Sequence, residues 1–88
     1  MKHAGPEALD ALTGLLDEIR RHVGLRERKR GAFYRKSSGF LHFHEDPAGL
    51  FADLKAGDAY ERLPVNTPAQ QRALLRRIAQ LTRDDRRR

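Results

Sequence analysis

The stretch Phe40-Leu41-His42-Phe43-His44-Glu45, the four residues Asp46-Pro47-Ala48-Gly49, and the run from Leu50 to Lys55 constrain this chain more tightly than any other part of it. Two runs rich in aromatic and aliphatic residues flank a turn in which Asp can bond the following amides, Pro presets φ and Gly suits the last position, so the segment reads as a β-hairpin. Side chains alternate between the faces of a strand, and a one-residue slip in pairing exchanges the faces. With Glu45 opposite Leu50, Phe43 faces Ala52 and Leu41 faces Leu54 on one side, while His44 faces Phe51 and His42 faces Asp53 on the other. Slipping by one sets Phe43 against Asp53 and His42 against Leu54, which mixes apolar and charged groups across each pair. The first register is therefore expected.

Upstream, Gly5-Pro6-Glu7 is a helix start, because Pro at the first helical position lacks an amide proton that had no partner anyway and Glu suits the positive helix end. Leu9, Leu12, Leu16, Ile19 and Val23, with Leu15 beside them, recur at helical steps and predict a helix over 6–22 that stops at Gly24. Residues 25–31 are expected to be an exposed charged connector. Ala32 to Lys36 is a first strand, joined to the hairpin by Ser37-Ser38-Gly39. A two-residue turn and a three-residue turn with a glycine bulge both fit there, so either Phe33 or Tyr34 shares the face of Leu41. After Ala56-Gly57-Asp58, residues 59–65 form an optional edge strand limited by Pro64. Thr67-Pro68-Ala69-Gln70 is a capping box, and Leu74, Leu75, Ile78 and Leu81 make the apolar stripe of a helix over 68–82. The expected architecture is α+β: a helix, a three- to four-stranded antiparallel meander and a helix, in one domain spanning 1–88, with flexible tails at 1–5 and 83–88.

At 88 residues, with 39% hydrophobic and 34% charged residues, the chain is globular in composition but has a thin core. It contains no cysteine, which excludes disulfides, thiolate metal sites and a cysteine nucleophile and fits a reducing, cytoplasmic setting. No run of about 20 apolar residues is present to cross a bilayer. The net charge of +6 favours anionic partners. Fourteen of the eighteen cations are Arg, however, a bias that GC-rich codon usage produces without selection for binding.

Two clusters carry candidate chemistry. Arg26, Arg28, Lys29, Arg30, Arg35 and Lys36 crowd the connector and first strand, with Phe33, Tyr34 and Phe40 interleaved, as binding to phosphates and stacking on bases would require. The bland counterpart is a solvated charged loop with packed aromatics. His42 and His44 project from one face about 7 Å apart, with Asp53 opposite His42, and two imidazoles with a carboxylate suit Zn²⁺ or Fe²⁺. The structural counterpart pairs His42 with Asp53 and packs His44 on Phe51, with no cofactor. Acid–base catalysis by His42 needs a concave pocket that so short a chain hardly builds, so a non-enzymatic role is expected. Phe40 and Phe51 are expected on the face opposite Leu41 and Phe43, where a second copy of the chain would cover them as a homodimer.

The segment from Phe33 through Asp53, continued by Glu61-Arg62-Leu63-Pro64-Val65, resembles a group of small uncharacterised bacterial proteins. The resemblance implies a bacterial chain with a compact αβ fold and carries no functional residue with it. The reading that follows is a binding protein with nucleic acid as its leading partner. The rival reading is a metal-binding or metal-dependent protein using His42, His44 and Asp53.

Overall fold

A computed structural model describes residues 1–83. The elements run β1 (Lys2–His3), α1 (Pro6–Ala11), α2 (Thr13–Arg20), β2 (Arg26–Lys29), β3 (Ala32–Arg35), β4 (Ser38–Asp46), β5 (Gly49–Ala56), β6 (Ala59–Pro64) and α3 (Pro68–Leu81). The strands form one antiparallel sheet in the order β2-β3-β4-β5-β6, and β1 pairs with β4 beyond the end of β3. The α+β expectation holds, with six strands where three or four were expected. None of the helices is long and apolar enough to cross a membrane among the described residues.

The central hairpin pairs in the expected register throughout: Leu41 with Leu54, His42 with Asp53, Phe43 with Ala52, His44 with Phe51 and Glu45 with Leu50. Its apolar face is buried under the helices. Leu41, Phe43, Ala52 and Leu54 join Leu9, Leu12, Leu15, Leu16 and Ile19 of the first helical segment and Leu74 and Ile78 of α3 in one core. The capping box at Thr67 forms in full, with the Thr67 hydroxyl accepting from the Gln70 amide at 3.1 Å and the Gln70 side chain accepting from the Thr67 amide at 3.2 Å.

Four differences from the sequence expectation have identifiable causes. The helix predicted over 6–22 is interrupted at Leu12, where the Thr13 hydroxyl donates to the Asp10 carbonyl at 2.7 Å, a side-chain bond that competes with helical pairing. It then ends at Arg20, which leaves Val23 89% exposed rather than on the apolar stripe. Residues 25–31 are not a plain connector, because Arg26–Lys29 pairs with β3 as an edge strand. Residues 1–5 do not form a free tail: His3 pairs with His44, the Ala4 amide donates to the Phe43 carbonyl at 3.0 Å, and the Gly5 amide donates to Glu45 at 2.7 Å. Of the expected tail at 83–88, residues 84–88 lie outside the described residues.

The fourth difference concerns Phe40. The first hairpin closes on a two-residue turn, Lys36-Ser37, with Arg35 opposite Ser38 and Tyr34 opposite Gly39. The next pair is Phe33 with Leu41, so Phe40 is an extra residue, a β-bulge that lets neighbouring side chains leave strict alternation. Phe40 is 4% exposed and sits in the core with Leu41, not on the opposite face. The same register settles the open alternative: Phe33 shares the Leu41 face and is buried, and Tyr34 takes the open side.

Candidate nucleic-acid interface

The alternation of β2 against β3 sorts its charges. Glu27 pairs with buried Phe33 and so stands on the helix side, where Arg20 Nη2 donates to it at 3.0 Å and the Gly31 amide at 2.8 Å. The Arg20 hydrogen bond, aided by that amide, holds the Glu27 carboxyl below its usual range despite burial. Arg26 pairs with Tyr34 on the open side. A second bulge, between Glu27 and Lys29, frees Arg28, whose guanidinium carbon lies 4.7 Å above the centre of the Tyr34 ring, a cation–π distance.

Of the six predicted cations, the structure brings three together. Arg26, Arg28 and Lys36 line, with Tyr34 and Glu27, a depression of about 610 Å³, the Glu27 carboxylate being held by Arg20. Lys36 also borders a neighbouring depression of about 300 Å³, together with Arg35 and Lys55. Arg35 lies with its guanidinium 5.9 Å from the Phe40 ring centre. Lys29 is exposed on β2 opposite Ala32. Arg30 is drawn away, since its guanidinium binds Asp10 at 2.6 Å and reaches the Pro6 carbonyl of α1. Among the described residues, Arg26, Arg28, Lys29 and Lys36 make no ion pair, whereas Arg20, Arg21, Arg30, Arg62 and Arg77 each hold a carboxylate. The charge of these four cations is thus left uncompensated at this end of the sheet among the described residues.

Lys36 and Ser37 hold φ of 52° and 68°. A two-residue hairpin favours such left-handed backbone, but Asn-Gly adopts it with little strain and Lys-Ser does not. Strain of this kind persists where the surrounding structure, here the paired strands β3 and β4, over-determines the backbone. Here it presents Lys36 at the rim of both depressions.

His42, His44 and Asp53 do share the open face, as the register requires. It is His44, not His42, that lies nearer the carboxylate, with Nδ1 3.6 Å from Asp53 Oδ2. Both Asp53 oxygens are taken by Arg62, at 2.8 and 2.9 Å. That bidentate grip holds the Asp53 carboxyl below its usual range. Burial pushes the His44 imidazole below its ordinary value; Asp53 opposes this, while His3 and Arg62 add to it. His3 stands edge-on to His44 at 4.7 Å between ring centres, and His44 Nε2 is buried without a hydrogen-bond partner among the described residues. No three His, Cys, Asp or Glu side chains among the described residues form a group that could hold a metal ion. His42 instead stacks on Tyr60, with ring centres 5.8 Å apart and planes inclined by 28°.

Sequence reasoning missed His3, Tyr60 and Arg62. The last two were within reach: a two-residue turn at Gly57-Asp58 sets Ala56 against Ala59, and counting back places Tyr60 opposite Lys55 and Arg62 opposite Asp53, as observed. No signal marked His3, because two residues are too few for a periodicity. No family model, curated protein or solved structure matches the chain.

Proposed function

We propose that this chain is a non-enzymatic nucleic-acid-binding protein of the bacterial cytoplasm, and that it docks phosphates on the open side of the sheet at β2, β3 and the Lys36-Ser37 turn. The observation that carries the reading is Arg28 stacked 4.7 Å above Tyr34 in a depression shared with Arg26 and Lys36. The three cations make no ion pair among the described residues, so an incoming phosphate displaces only water and counterions. Other cations without an ion pair among the described residues, such as Arg72 and Arg76, lie on α3, which carries no aromatic residue. A homodimer through the sheet face has less support, because Phe40, one of the two rings it would cover, is already inside the core.

The test is fluorescence anisotropy with a labelled twelve-residue oligothymidylate over 20–300 mM salt. Affinity should fall linearly on a log–log scale. Replacing Arg26, Arg28 and Lys36 together with Gln should flatten the slope by about 2, near 0.7 per lost phosphate contact. Absence of binding at the lowest salt, or a slope unchanged in the triple variant, refutes the reading.

A further inference from the structure

Tyr60 is the exposed aromatic of the sheet's open face, at 47% exposure, and three features hold its ring in place. One ring face lies against His42. The hydroxyl donates to the Gly39 carbonyl at 3.3 Å, which ties a β6 side chain back across β5 to β4. Gly39 lies beside it: a Cβ there would meet the Tyr60 oxygen at 3.4 Å and His42 Nε2 at 3.6 Å in ordinary contact, so a methyl is accommodated and only a larger, branched side chain would press on the ring. Gly39 is also the cross-strand partner of Tyr34. It therefore lies between two aromatic islands, Tyr34 under Arg28 on one side and Tyr60 on His42 on the other.

Lys36 and Lys55 lie along the same path, bordering the depression that Gly39 also lines. Lys55 Nζ is poised there by the Ser38 hydroxyl at 3.2 Å. Strands are spaced about 4.8 Å apart, and the Tyr60 hydroxyl reaches back across β5 to Gly39 of β4, the partner of Tyr34, so the two aromatic islands stand roughly one to two strand spacings, about 5–10 Å, apart. That span suits neighbouring bases laid on separate stacking surfaces, the Arg28 guanidinium over Tyr34 and the Tyr60 ring, with the backbone between them. A duplex keeps its bases stacked inside and has no use for exposed rings, whereas every unpaired base has a π-face to offer.

We propose that the ligand is single-stranded nucleic acid running across the strands, with one base on the Arg28 guanidinium where it caps Tyr34, another on the exposed ring of Tyr60, and the phosphate between them on Lys36 and Lys55. This rests on the nucleic-acid reading above and adds to it the strandedness of the ligand and a second contact point remote from β2. Tyr60 contributes stacking, and Gly39 is a positioning residue that lets the Tyr60 ring lie on the sheet.

The experiment compares the twelve-residue oligothymidylate with an abasic oligomer of the same length and charge. The protein should prefer the base-bearing strand, and Tyr60→Ala should reduce that preference on the order of tenfold while leaving the salt slope unchanged. Gly39→Val, which removes neither charge nor ring but pushes Tyr60 off the sheet, should reproduce the loss, and circular dichroism confirms that both variants fold. Equal binding of the two oligomers by the unaltered protein, or a base preference undiminished by Tyr60→Ala, overturns the stacking proposal and leaves phosphate docking standing. If neither oligomer binds at low salt, the nucleic-acid reading falls, and this one with it.

Discussion

Replacing Phe40 with Ala should destabilise the chain far more than strict strand alternation implies. Counting from Leu41 puts Phe40 on the open face, where truncating a half-covered ring costs about 1 kcal/mol. The bulge opposite Phe33 and Tyr34 instead seats the ring in the core at 4% exposure, beneath the Arg35 guanidinium. Burial at that level makes Phe→Ala cost about 3–5 kcal/mol, the transfer of the ring plus the cavity it leaves. A chain of this size has roughly 4–13 kcal/mol in total, so the variant loses a large fraction of its stability. With a urea slope of about 1–1.5 kcal/mol per molar, its unfolding midpoint should fall by about 2–5 M. Phe51→Ala serves as the internal comparison, because Phe51 is half-buried on the open face and should cost about 1 kcal/mol. Equal midpoints for the two variants would refute the bulge assignment.

Four further outcomes follow from the same structure. Lys36-Ser37→Asn-Gly should raise stability by about 1 kcal/mol in urea melts by relieving the left-handed backbone at both positions, while weakening oligothymidylate binding through loss of the Lys36 charge. Gly49→Ala should cost at least about 1–2 kcal/mol, since φ is +131° and a Cβ would stand 2.7 Å from Asn66 Oδ1, which accepts from the Leu50 amide. Thr82→Val should cost about 1–3 kcal/mol, because the buried hydroxyl donates to the Ile78 carbonyl at 2.6 Å and lies 2.7 Å from His22 Nε2. For His44, whose folded state disfavours the proton, the unfolded chain binds more protons below the ordinary histidine value of about 6.5. Stability should therefore be highest above that pH and decline as pH falls through it; His44→Gln should flatten the decline between pH 7.5 and 5.5, and an unchanged profile would count against the burial of His44.

The hairpin from residue 40 to 55 was legible because its two faces differ in polarity, so one register sorts the residues and the other mixes them. The capping box at Thr67 was legible for a similar reason, since its chemistry is local. What escaped the sequence was set by neighbours distant along the chain. Arg26-Glu27-Arg28-Lys29 has no apolar alternation to announce a strand, yet it becomes one by pairing with β3, and Glu27 is stabilised there by Arg20 of α2. Phe40 changed sides because of a bulge, which composition does not mark. Lys2–His3 joined β4 because the edge beyond β3 was open. The basic cluster was visible as a list of charges, but which cations face Tyr34 and which turn to carboxylates depended on β2 being a strand.

Backbone ¹H–¹⁵N NMR during titration with the twelve-residue oligothymidylate at low salt tests the account most directly. Shifts should concentrate on Arg26, Arg28, Tyr34, Lys36 and Gly39 and extend to Tyr60 across the sheet, leaving α3 unaffected. Shifts confined to the outer face of α3, or none at all, would contradict the placement of the binding surface on the open side of the sheet.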